Sequence, residues 1–236
     1  MDLDFKKTDI AFYTVFTGAN INVANVIREP PSRFYDCFYF TNNMETYNRL
    51  QHTGWIRVYI DEPVKNDEVK DCFDCKMYKT CPHIINELKP YEFTVYIDSK
   101  QRIKSDNEIL EVIRNLPSST KICMCAHLSI SQPNALQKEL DLSMLQPRYY
   151  GQKENYIEYI NSRLKDFPED PKHHLMGLFA IRRHNDPVTH AFNEAWFKEI
   201  NRCGIQDQIS LYFVQQMFPD SIQIFDHNVI GVTAEW

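Results

Sequence analysis

The run Tyr91-Glu92-Phe93-Thr94-Val95-Tyr96-Ile97-Asp98-Ser99-Lys100 constrains this chain more than any other segment. From Phe93 to Ile97 every residue is β-branched or aromatic, and the run ends abruptly in a carboxylate. A strand this apolar is buried on both faces, the situation of a strand inside an α/β sheet. Ligands of open α/β sheets bind outside the carboxyl ends of the strands, so Asp98, with a cation two residues on, stands where chemistry is placed. The same carboxylate also suits a turn or the cap of the next element, and this strand alone does not choose.

The remaining periodicities alternate between the two patterns. Strands are predicted over 9–17, 34–41, 55–60, 93–98, 122–126, 175–181 and 221–225. Helices are predicted over 76–88, over 106–116 with Asp106 as cap, from 133 through Leu136, Leu140 and Leu145, and over 154–164. Two more follow, one from Pro187 to the break at Gly204 and one from Asp207 through Met217. No repeat, low-complexity tract or linker interrupts the order, so residues 1–236 are read as a single domain. Strands alternating with helices give a mostly parallel α/β sheet with helices on both faces.

Composition excludes several classes. A net charge of −6 argues against a general nucleic-acid binder. No apolar run approaches the roughly 20 residues of a membrane span, and Met1 to Lys7 lacks the apolar core of a signal peptide. Seven cysteines, an odd number scattered through the chain, do not make a disulfide framework, so a reducing, cytoplasmic setting is expected. With six glycines and no glycine-rich fingerprint, the usual loops for NAD or ATP are absent, as is the Gly-x-Ser-x-Gly elbow of serine hydrolases.

Polar clusters sit at predicted strand ends or helix starts: Thr17-Gly18, Asn42-Asn43, Asp98-Lys100, Arg182-Arg183-His184, Asp207-Gln208 and Asp226-His227. Exposed strand ends are polar in any case, but in an open sheet these six can also converge on one crevice. A carboxylate and an imidazole from separate strands can hold a divalent cation there. Cys72, Cys75, Cys81 and His83 offer four zinc-type ligands in twelve residues. Only the leading pair has structural-zinc spacing, and helical structure after Lys76 carries Cys81 away; the other reading is of buried small side chains or surface thiols.

The segments 178–185 (LFAIRRHN), Phe192, Glu194, Trp196-Phe197, Glu199-Ile200 and 206–210 (QDQIS) together resemble the C-terminal motifs of one family. Upstream, 13–18 (YTVFTG), 37–42 (CFYFTN), Gly54-Trp55, Lys79 with Pro82-His83, and 97–100 (IDSK) match its earlier motifs in order. The chain thus resembles, over nearly its whole length, a glycosyltransferase-like family that includes the plant mucilage-related and turgor-regulation proteins.

That resemblance implies a GT-A-like, Rossmann-like sheet, with residues 1–100 as the nucleotide-binding half and 101–236 as the acceptor-binding half. It implies transfer of a sugar from a UDP- or GDP-sugar donor to a glycan or other hydroxyl acceptor. Thr17, Gly18, Asn42, Lys79, His83, Asp98 and Lys100 would bind the donor; Arg183, His184 and Trp196 would bind the acceptor. Asp98, with His227 late in the chain, would hold Mn²⁺ or Mg²⁺ against the diphosphate. Asp207 and Gln208 would lie at the reacting anomeric carbon, Asp207 as general base in an inverting enzyme, or either residue stabilising the oxocarbenium-like centre in a retaining one. The chain departs from the family at Asn42, where an acid is usual, at Lys100, which replaces the second acid of the metal motif, and at Gln206, which replaces an arginine. Two alternatives follow: a non-catalytic nucleotide- or glycan-binding relative, and a metal-dependent lipid amidase, since one plant relative is described as a ceramidase.

Overall fold

The computed structural model describes residues 5–19, 27–99, 101–103, 105–127, 129–225 and the backbone of 233–234. In chain order the elements are β1 (Ile10–Phe16), β2 (Asp36–Thr41), α1 (Met44–Arg49), β3 (Ile56–Tyr59), α2 (Glu68–Thr80), β4 (Phe93–Ile97), β5 (Gln101–Arg102) and α3 (Asp106–Arg114). They continue with β6 (Ile122–Ala126), α4 (Ala135–Ser143), α5 (Pro147–Tyr150), α6 (Lys153–Arg163), β7 (Leu175–Arg183), α7 (Pro187–Cys203), α8 (Asp207–Met217), β8 (Ile222–Phe225) and β9 (Thr233–Ala234).

Seven strands form one sheet in the order β3-β2-β1-β4-β7-β6-β8, and β5 pairs with β9 beside it. All neighbours in the large sheet are parallel except β7, which runs antiparallel to both β4 and β6. Its register sets Ile97 against Phe179 and Phe93 against Arg183. The beginning of β7 therefore lies at the carboxyl edge of the parallel strands and its end at their amino edge.

Alternation divides the sheet's side chains between two cores. Phe12, Tyr39, Val95, Ile97, Cys123 and Ile181 pack on one face under α3, whose Ile109, Leu110, Val112 and Ile113 are buried. Each such side chain contributes roughly 1.5–3 kcal/mol by leaving water. Tyr13, Phe40, Tyr96, Met124 and Ala180 pack on the other face with Phe192, Trp196 and Leu211 of α7 and α8. A third cluster joins α4 and α6 to the far side of α8 through Leu136, Leu140, Tyr156, Tyr159, Ile209 and Phe213.

Most ends follow local signals. Asp186 caps α7 by accepting from Val188 N–H at 2.9 Å, with Pro187 next in line. Gly204 stops that helix at φ +118, where a Cβ would meet Gln152 Oε1 at 2.6 Å. Two expectations are corrected. Ser105, not Asp106, caps α3, accepting from Asn107 N–H at 3.0 Å. The helix expected over 76–88 instead starts at the Asp67 cap and ends at Thr80. Pro82 has no N–H and its ring blocks a continuing helix, so Ile84 and Leu88 are carried by two short 3₁₀ turns with Ile85 extended between them.

Candidate active site

The carboxyl edge gathers the candidate chemistry. Asp98 follows β4 directly; its N–H donates to Leu178 O at 2.9 Å and its carbonyl accepts from Gln101 N–H at 2.8 Å. These bonds turn the chain sharply after the strand and tie Asp98 to β7. Beside it β7 is irregular: Met124 pairs with Ala180 but Cys125 pairs with Met176. The extra residues of this bulge include Gly177, and bulges of this kind re-aim a strand next to a site.

Against Gly177 lies a buried ionic cluster. Lys76 and Lys79, one helical turn apart on α2, both reach Oδ2 of Asp207, the first residue of α8; Lys76 Nζ is 3.0 Å away and Lys79 closer still. A Cβ on residue 177 would fall 3.2 Å from Lys79 Nζ and 3.4 Å from Asp207 Oδ2, so glycine makes room for the pair. Lys79 Nζ also sits over the rings of Tyr96 at 5.3 Å and Trp196 at 5.5 Å. Burial disfavours the charge on all three groups. At Asp207 burial is outweighed by the two ammoniums, which hold the carboxyl below its usual range. At Lys76 the carboxylate overcomes burial and raises the ammonium, whereas at Lys79 burial, aided by the charge of Lys76, lowers it. The two lysines shift in opposite directions because one carboxylate neutralises only one cation. Lys79, with 2% of its side chain exposed against 15% for Lys76, bears more of the desolvation.

Gln208 follows Asp207 and faces the same bulge. Its Oε1 accepts Gly177 N–H at 3.2 Å and its Nε2 donates to Glu139 Oε2 at 2.8 Å. Glu139, on α4 and 3% exposed, also receives Gln206 Nε2 at 2.8 Å and faces His174 Nε2 at 3.0 Å and His127 Nε2 at 3.9 Å. Burial, countered by Glu139, lowers the His127 pKa.

The turn after β1 is closed on itself. Gly18, at φ +100, accepts Asn43 Nδ2 at 2.9 Å on its carbonyl and donates to Asn42 Oδ1 at 2.9 Å; a Cβ there would strike Asp71 Cβ at 2.8 Å. Thr17 Oγ1 donates to Asp71 O at 2.6 Å. Asn42 Nδ2 is buried without a hydrogen-bond partner. On the α3 face of the sheet a cleft of about 1240 Å³ runs from Thr14, Tyr39 and Trp55 to Asp98 and Gln101. Thr14 Oγ1 and Gln101 Oε1, both in its lining, are buried without partners.

Other expected residues lie elsewhere. Because β7 is antiparallel, Arg183 and His184 sit at the amino edge and do not join the crevice expected for them. Arg183 donates to Thr120 O at 3.0 Å and lies over Phe93, and His184, 1% exposed, faces Thr94 Oγ1 at 3.3 Å. His83 joins them, stacked on His190 at 4.6 Å, while His190 Nε2 bonds the His184 carbonyl. Trp196 is fully buried and supports the site from beneath, donating its indole N–H to Asp207 O at 3.1 Å. It offers an acceptor no exposed face.

The cysteine group does not converge. Cys75 packs against Val15 O, Cys81 against Asn193 O, and all seven cysteines are free thiols. Among the described residues no set of three or more His, Cys, Asp or Glu side chains could hold a metal ion, so Asp98 has no described ligand set with it. Lys100, Asp226 and His227 lie outside the described residues. The described residues alone do not fit a metal centre.

Sequence reasoning overlooked Lys76, Glu139, His127 and His174. Signals for them exist. Lys76 stands one turn before Lys79, and Glu139 interrupts the Leu136–Leu140 stripe, where a charge has no business unless it is satisfied. His127 directly follows β6, so the strand-end argument used for Asp98 applies to it. His174 precedes a strand whose direction had to be known first.

No protein-family model matches the chain, and no curated protein sequence matches it. Among solved structures, the chain is similar to mouse xyloside xylosyltransferase 1 in its apo form, with 12% identity and a TM-score of 0.53 over 93% of this chain and 86% of that one. At that identity the likeness shows the fold alone: a mostly parallel seven-stranded α/β sheet of the GT-A-like type, flanked by helices.

Proposed function

We propose that the protein is a glycosyltransferase that moves a sugar from a nucleoside-diphosphate donor to a hydroxyl acceptor. The observation that carries this is that Asp98, tied to β7 through Leu178, and the Lys76–Asp207–Lys79 cluster, packed against Gly177, both stand at the carboxyl edge of a GT-A-like sheet. The sequence resemblance to the plant glycosyltransferase-like family points the same way. In this reading the cleft beside Asp98 takes the nucleoside: aromatic Tyr39 and Trp55 flank it, and the unpartnered Thr14 and Gln101 atoms suit a hydrogen-bonding base. The donor belongs to residues 1–100 and the acceptor to 101–236, with Lys79 and Asp207 joining them.

Asp207 takes the electrostatic role rather than that of base. A carboxylate held low by two ammoniums is a weak proton acceptor and a durable negative charge, suited to an oxocarbenium-like centre. In this reading Lys76, the more exposed lysine, would meet donor oxygens. Gln208 holds the β7 bulge in register with Asp207. Mn²⁺ or Mg²⁺ on Asp98 and His227 belongs to this reading; once bound, it would neutralise diphosphate charge. Free thiols at all seven cysteines suit a cytoplasmic setting.

The test is a panel of UDP- and GDP-sugars, with Mn²⁺, Mg²⁺ or chelator, read as release of nucleoside diphosphate. Turnover of one donor is expected. Binding without turnover would favour the non-catalytic relative, release of fatty acid from ceramide the amidase, and no binding at all would end the transferase reading.

A further inference from the structure

Glu139 is a buried carboxylate with no lysine or arginine among its described partners. Such a group is costly unless every neighbour donates to it. That is what surrounds it: Gln206 Nε2 on Oε1, with Gln208 Nε2 and His174 Nε2 on Oε2. Ser143 completes the ring, accepting from Gln206 Nε2 at 2.7 Å while donating to the Glu139 carbonyl at 2.7 Å. His127 has its tautomer assigned by its own contacts. Nδ1 accepts the backbone N–H groups of Ser129 at 3.2 Å and Ile130 at 3.1 Å, so Nε2 carries the proton and points it toward Glu139. At 3.9 Å this is an electrostatic contact with the carboxylate and not a hydrogen bond.

The two glutamines held by Glu139 are the residues on either side of Asp207. Gln208 passes the constraint on, because its other amide atom accepts the N–H of Gly177, the residue against which Lys79 and Asp207 are packed. The chain of contacts therefore runs from Glu139 through Gln208 to the bulge of β7 and the ionic cluster.

We propose that Glu139 is a positioning residue for the Asp207–Gln208 site: its carboxylate clamps Gln206 and Gln208, fixes the first turn of α8, and holds the Gly177 bulge against the lysine–aspartate cluster. This rests on the glycosyltransferase reading for its catalytic consequence, but not for its geometry. A glutamine at position 139 keeps the shape and sets an amide donor against either Gln206 or Gln208, so one of these two must turn and the clamp on both is lost.

The experiment compares the full chain with E139Q, Q208M and the double variant. With whichever donor the parent turns over, E139Q is expected to lose at least tenfold in kcat with donor KM changed less than threefold. Q208M should show the same split, and the double variant should be no worse than the weaker single variant, since both act through one contact. Hydrogen exchange at the Gly177 amide is expected to be at least tenfold faster in E139Q and Q208M, with its global melting transition retained. Parent-like kcat in E139Q overturns the proposal, as does unchanged Gly177 exchange. Should E139Q fail to fold, Q208M, which leaves Glu139 its other donors, decides by the same two readouts. If the parent turns over no donor, the functional reading fails, and Gly177 exchange still decides whether Glu139 positions the site.

Discussion

Lys76 Nζ lies 3.0 Å from the Asp207 oxygen that Lys79 also holds, so a single carboxylate oxygen carries two ammoniums, one buried and one half-buried. Removing the carboxylate leaves both cations uncompensated, and breaking a buried ion pair in this way costs about 3–5 kcal/mol. Asp207→Asn should therefore be more destabilising than Lys79→Met, which leaves Asp207 paired with Lys76. Urea denaturation of the two variants checks the order. Equal losses would mean that the cluster is not held together by the carboxylate.

Gly177→Ala should disturb the same cluster without changing its charge. The new methyl would press on Lys79 Nζ at 3.2 Å, and overpacking of this kind costs about 1–3 kcal/mol. A lowered melting temperature is expected, with a fall in donor turnover larger than that of an alanine at an exposed site such as Lys153. A variant as stable and active as the parent would show that the lysine moves aside freely.

Acid should loosen the fold from its amino edge. Burial, with His190, Arg182 and His83 nearby, pushes the His184 pKa down from 6.5 to about 4. Burial and His190 also lower His83. A folded-state pKa below the unfolded one means that the unfolded chain binds the extra proton, so stability is complete above pH 6.5 and drains away as the pH falls toward 4. For His184 alone the full loss is roughly 3 kcal/mol, at about 1.4 kcal/mol per pH unit. Melting temperatures measured from pH 7.5 to 4.5 should fall, and less steeply in His184→Asn. A flat profile in the parent would contradict the burial described here.

The proposed cation gives a fourth expectation. Calorimetry with UDP or GDP should show at least tenfold tighter binding with Mn²⁺ than with chelator, and the difference should vanish in Asp98→Asn and His227→Ala. Metal-enhanced binding that survives His227→Ala would remove that residue from the ligand set.

How far the sequence could be read depended on whether a feature was local. β4 was legible because five consecutive β-branched or aromatic residues leave no other reading, and α7 because its Asp186-Pro187 start and Gly204 stop are local chemistry. The mostly parallel α/β sheet followed from the order of such elements, and its GT-A-like type from the family resemblance. The direction of β7 was not legible, since an apolar strand reads alike whichever way it runs, and that reversal is what removed Arg183 and His184 from the site. Helix α2 was misplaced because Ile84, Ile85 and Leu88 imitate a helical stripe beyond the proline that ends it. Asp207 was found through its motif, whereas Glu139 was passed over because its partners come from four separate segments.

Lys79 and Asp207 are 128 residues apart in the chain; among the described ion pairs Asp207 is the one counter-ion of Lys79, and Lys76 is the second partner of Asp207. A partly organised chain with α2 packed on the sheet but α8 not yet in place would have to bury the Lys79 ammonium bare, or leave it wet and the core open. The ionic cluster thus acts as a proofreading step for the tertiary structure: dry packing becomes favourable only when α8 arrives, so α2 and α8 close together or not at all.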